Sequence, residues 1–119
     1  MIKALFLIFL LPTVTFAEPK YMGASSCASS NCHGSNTPQK TSNVLQNEYV
    51  TWYKHGAHAK AWRVLTNKDS KIMAKHLGIK NPEKDALCLS CHSTYVPEKK
   101  YHGPKFRIED GVSCESCHG

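Results

Sequence analysis

Every cysteine in this chain stands in a pair, and a histidine directly follows each pair. The three segments read Cys27-Ala-Ser-Ser-Asn-Cys32-His33, Cys88-Leu-Ser-Cys91-His92 and Cys114-Glu-Ser-Cys117-His118. C-x-x-C-H is the attachment signature of c-type haem. The two sulfurs bond to the two vinyl groups of the porphyrin, and the adjoining imidazole becomes the proximal iron ligand. The second and third segments fit this pattern fully. The first is looser, because four residues separate Cys27 from Cys32. The pattern therefore predicts haem c, three groups in all. Cys27, Cys32, Cys88, Cys91, Cys114 and Cys117 would hold them covalently, and His33, His92 and His118 would bind iron from the proximal side.

Two other uses of paired thiols compete with this reading. Two C-x-x-C pairs can form a zinc ribbon, and exported chains use cysteines for disulfides. Neither explains a histidine after every pair. The disulfide alternative bears mainly on the first segment.

The chain has 119 residues, enough for one small domain. Its start reads as a secretory signal over residues 1–17. Lys3 is followed by an apolar run to Val14, and small residues precede a cut after Ala17. The run is far shorter than the roughly 20 residues a spanning helix needs. The expected mature domain is residues 18–119, without a membrane span once the signal is removed. A chain this short cannot bury a large core of its own side chains, so porphyrin faces would supply much of it. Export to the periplasm also suits the cysteine chemistry.

The formal charge is +6. Lysines such as Lys99 and Lys100 can steer an acidic redox partner or form ordinary solvated surface. The chain has no Gly-rich phosphate loop and no nucleic-acid module, so basicity alone does not imply nucleic acid. The expected partners are redox proteins, and the oligomeric state is not legible.

The coarse pattern is mostly α, with short helices and loops wrapped around stacked haems and little or no β. Leu45, Tyr49 and Trp52 recur at helical spacing, as do His58, Trp62 and Leu65, with Gly56 between the two sets. Asp69 or Ser70 can cap a helix carrying Ile72, Met73 and Leu77, which Gly78 ends. Asn81-Pro82-Glu83 is a start signal for a helix running into Cys88, Cys91 and His92. Positions three and four apart share a helix face, so both sulfurs and the imidazole can meet one porphyrin. Asp110-Gly111 signals a turn, and the last motif follows as one helical turn.

Four histidines lie outside the motifs. His58 is the leading distal-ligand candidate, since it shares a helical face with Trp62 and Leu65 and is flanked by Ala57 and Ala59. His55, His76 and His102 are further candidates. Met22 and Met73 offer thioether ligation, although Met73 stands at core spacing beside Ile72 and Leu77. Trp52, Trp62, Tyr49 and Tyr53 are expected to pack on porphyrin faces or in the ordinary core.

The chain resembles the cytochrome c-554 family of multihaem cytochromes. The resemblance rests on Cys27 to Gly34, on Trp52 followed by His58-Ala-Lys-Ala-Trp-Arg-Val-Leu65, on Cys88 to His92, and on Gly111-Val-Ser-Cys-Glu-Ser-Cys-His-Gly119. It implies closely stacked haems and periplasmic electron transfer. It also implies a distal-ligand role for the histidine that precedes Ala59. Family members continue past the Gly111–Gly119 stretch with more histidines and at least one further motif. This chain is therefore expected to be truncated, or a fragment of a longer protein.

The expected function is periplasmic electron relay between redox partners, without substrate chemistry. The competing reading is a haem enzyme, or a piece of one, that reduces or oxidises small nitrogen or sulfur compounds at an open iron. It would need acid–base groups around an open site, and no such arrangement stands out in the sequence.

Overall fold

The computed structural model describes residues 18–119. The expected signal segment, 1–17, lies outside the described residues. Glycines and prolines cut the rest into short pieces. Among the described residues, five α-helices follow in order: α1 (Glu48–His55), α2 (Ala61–Val64), α3 (Lys68–His76), α4 (Ala86–His92) and α5 (Glu115–His118), with short 3-10 turns before α1 and in three of the four connections. Among the described residues there is no strand, only an isolated parallel bridge between Tyr21 and His102. The expected mostly α architecture is what forms.

The ends of α3 have clear local causes. The Asn67 side chain accepts the Ser70 N–H at 2.8 Å, so Asn67 caps α3. The expected caps, Asp69 and Ser70, sit inside its first turn, where Asp69 still favours the positive helix end. Gly78 has φ +70°. Its N–H and that of Ile79 return to the carbonyls of Lys75 and Ala74 at 3.1 and 2.8 Å, which closes α3 as the sequence predicts.

The helix expected from Pro82 through His92 is broken in two. Pro82–Lys84 makes one 3-10 turn. Asp85 then turns extended, and its carboxylate accepts the Leu87 N–H at 3.0 Å to start α4 afresh. The second motif still lies wholly on helix.

The segment after Gly56 also departs from expectation. Gly56 is extended, and residues 58–60 form a 3-10 turn before α2. With three residues per turn there, His58 leaves the face it would share with Trp62 and Leu65. Leu65 is buried and Trp62 half-buried, but His58 is exposed. The inward orientation expected of His58 is not what the fold produces.

The apolar core is small. Among the described residues, the buried hydrophobic side chains are Ala24, Leu65, Ala74, Leu89 and Val96. Met73, Leu77 and Leu87 are 65%, 60% and 67% exposed. Met73, expected at a core position, is therefore outside it, and Ala74 takes the inward place on α3.

Polar contacts fix what this core cannot. Thr94, just past the second motif, is buried against the entry to the third. Its N–H donates to the Gly111 carbonyl at 2.8 Å. Its hydroxyl accepts the Ser113 N–H at 2.8 Å and meets the Ser113 and Ser116 hydroxyls at 2.8 and 2.7 Å. Gly111, at φ +74°, passes so close to the His58 carbonyl that a Cβ there would collide with it. The predicted turn at Asp110-Gly111 thus also seats the His58 segment.

Candidate functional site

The three Cys-His segments take three local forms. In α4, Cys88, Cys91 and His92 share one face, and Leu89 beside that face is buried. In the third motif, Cys114 is already helical in backbone and caps α5, so Cys114, Cys117 and His118 follow the same spacing. The first motif is not helical. Cys27 closes a 3-10 turn, and a tight turn then carries Cys32, whose N–H donates to the Ser29 carbonyl at 2.9 Å. Gly34 closes this turn onto the Ala28 carbonyl, where no side chain fits. The two extra residues of the first motif are absorbed in the turn.

Two of the three motif histidines, His33 and His92, are held by their Nδ1 atoms. His92 Nδ1 lies 2.9 Å from the Ala61 carbonyl oxygen. A carbonyl only accepts, so Nδ1 carries the proton and Nε2 of the neutral ring keeps its lone pair. His33 Nδ1 lies 3.0 Å from a Glu48 carboxylate oxygen, with the same consequence. This hydrogen bond is the main cause holding the Glu48 carboxyl below its usual range. In both rings the nitrogen left for a metal is Nε2, fixed in tautomer by a second partner.

A cleft of about 330 Å³ opens beside the second motif. Cys88, Cys91 and His92 form one wall. Leu65, Met73, Leu77 and Leu87 form most of the rest. Three of these apolar residues are the exposed side chains noted above, so they face the cleft and not the core. Thiols, an imidazole with a free Nε2 and an apolar floor suit a flat, largely apolar, iron-bearing group. Burial raises the Cys88 thiol above its ordinary value.

The first and third motifs are neighbours. Burial first, and then the nearby Cys27, raise the Cys114 thiol. Glu115, inside the third motif, accepts the N–H groups of Met22 and Gly23 at 2.6 and 2.8 Å. These residues lead into the first motif. All six cysteines are unbridged. Among the described residues, no three His, Cys, Asp or Glu side chains converge on one ion-sized site.

The remaining histidines fall into different settings. The His58 carbonyl accepts the Val112 N–H at 3.0 Å, and Trp52 Nε1 donates to the Val112 carbonyl at 3.0 Å. His58 therefore lies beside the entry to the third motif, with its ring exposed. His102 Nε2 donates to the Val96 carbonyl at 2.7 Å, and its ring packs 4.2 Å from Phe106. His55 and His76 are exposed at the ends of α1 and α3. Tyr49 and Tyr53 stack at 6.1 Å beside Trp52, and Trp62 Nε1 donates to the Glu83 carbonyl.

Glu48, Thr94 and Glu115 are the members of the site that sequence reading does not find. Glu115 stands inside the third motif, but nothing local shows that its carboxylate reaches back to Met22. Glu48 offers one signal, as an acid in the first turn of α1.

The family model described as cytochrome c554 and c-prime matches residues 26–119, which takes in all three motifs. No curated protein and no solved structure matches the chain. Among the described residues, no helix is long and apolar enough to cross a membrane.

Proposed function

This chain belongs to the family of cytochrome c554 and c-prime, a c-type cytochrome with covalently held haem c, and from that premise we propose that it is an exported three-haem electron relay. Cys27 and Cys32, Cys88 and Cys91, and Cys114 and Cys117 each anchor one haem, with His33, His92 and His118 as proximal ligands. The observation that carries this reading is the fixed tautomer of His33 and His92. Each has Nδ1 engaged and Nε2 bare, the arrangement an axial imidazole requires.

Haem supplies the one-electron chemistry when bound. The chain supplies position. The Glu115 hold on Met22 and Gly23 ties the third motif to the first and would bring their haems near one another. The Thr94 network ties the second motif to the third. Motifs held in this way would let bound haems exchange electrons without any large movement of the chain. His58 is the distal ligand we assign to the third motif, on the strength of its backbone bond to Val112. The signal segment 1–17 would direct export to the periplasm, and the mature domain 18–119 would meet redox proteins there.

The test is a spectroelectrochemical titration of the exported holoprotein. Low-spin haem that cycles reversibly and binds no added ligand is the expected result. Persistent high-spin signal with turnover of nitrite or hydroxylamine would replace this reading by the enzymatic one.

A further inference from the structure

The two fixed imidazoles are not held by the same kind of acceptor. His92 donates to a neutral backbone carbonyl, that of Ala61 at 2.9 Å. His33 donates to a carboxylate, Glu48 Oε2 at 3.0 Å. That carboxylate is itself held in place. Its other oxygen, Oε1, accepts the N–H groups of Leu45 and Gln46 at 2.8 and 3.2 Å. The turn that presents those two groups is fixed in turn. Gln46 takes a positive φ of 61°, its carbonyl accepts the Ser35 N–H at 2.8 Å, and the His33 carbonyl accepts the Tyr49 N–H at 2.9 Å. The carboxylate and the imidazole are thus clamped from both sides, although both are close to half exposed.

A charged acceptor draws the Nδ1 proton more strongly than a neutral one. It makes the imidazole a more basic ligand and favours ferric over ferrous iron. Resting on the haem reading above, we propose that Glu48 is a positioning and tuning residue that sets the first haem at a lower reduction potential than the second. Reduction adds one electron to the iron, and the Nδ1 proton stays between His33 and Glu48. Between these two haems the ordering would give the relay a direction: electrons from an external donor would collect at the second before the first.

The experiment compares wild type, Glu48→Gln and Glu48→Asp holoproteins by redox titration, with intact mass recorded on the same samples. In Glu48→Gln, one of the three couples should move to more positive potential while the other two stay. Glu48→Asp, which keeps the charge, should return that couple towards its original value. Proton NMR of the fully reduced wild type should also show one axial-histidine Nδ1 proton well downfield of the others, a readout that needs no variant to load. Three unshifted couples, three couples shifted alike, or the lack of that downfield proton would overturn the proposal. A wild-type mass without haem would instead overturn the haem reading itself.

Discussion

The Glu115 carboxylate holds the Met22 amide at 2.6 Å and the Gly23 amide at 2.8 Å. The third motif thereby grips the chain that enters the first, across more than ninety residues of sequence. Hydrogen bonds to a charged acceptor contribute about 1.5–3 kcal/mol when shielded, and part of this site is open to water. Glu115→Ala should lower the holoprotein's unfolding free energy by about 1–3 kcal/mol in denaturant titration, and Glu115→Gln by less. A variant with unchanged stability would show that the clamp is only decorative.

Thr94 carries a heavier load for its size. Its buried hydroxyl is the acceptor for the Ser113 N–H and the meeting point of two serine hydroxyls. Thr94→Val keeps the volume but leaves a buried donor without a partner, at a cost of about 1–3 kcal/mol. Thr94→Ser restores the hydroxyl and should recover most of that loss. The check is the midpoint of denaturant unfolding, with haem content confirmed equal.

His58 and His102 should separate by spectrum. His58→Ala is expected to convert one haem of three to a high-spin or solvent-ligated form in the visible and EPR spectra. His102→Leu removes the donor to the Val96 carbonyl and should lower stability by about 1 kcal/mol while leaving the haem spectrum unchanged. Reversed outcomes would exchange their roles.

Asp110 sets a pH dependence whose sign is fixed by its surroundings. Burial raises its carboxyl, opposed by Arg107 and reinforced by Glu109. The native state thus binds this proton more tightly than the unfolded chain does. By linkage, stability falls as pH rises from the ordinary carboxylate value through the raised one. Asp110→Asn should therefore unfold at higher denaturant than wild type at pH 7, and the gap should close as pH drops below the carboxylate range. A gap that widens in acid would contradict the assignment.

The helical form of the second and third motifs, the stop at Gly78 and the turn at Gly111 are legible in the sequence, because each depends on residues within one turn of itself. The break at Asp85 was hidden by a strong start signal at Pro82. The Asp85 carboxylate, three residues later, caps and restarts the helix, and nothing in the hydrophobic spacing marks it. The orientation of His58 was misread because the period changes from 3.6 to 3.0 after Gly56. The partners of the motif histidines were beyond reach for another reason. Ala61 and Glu48 meet His92 and His33 only through tertiary packing, and a backbone carbonyl leaves no trace in sequence.

The account stands on covalent haem at the three cysteine pairs. Intact mass of the protein, exported from a host that matures cytochromes, tests this most directly. The account predicts the 18–119 polypeptide plus three haem masses. A polypeptide mass alone, with its thiols free or bridged to one another, would contradict it.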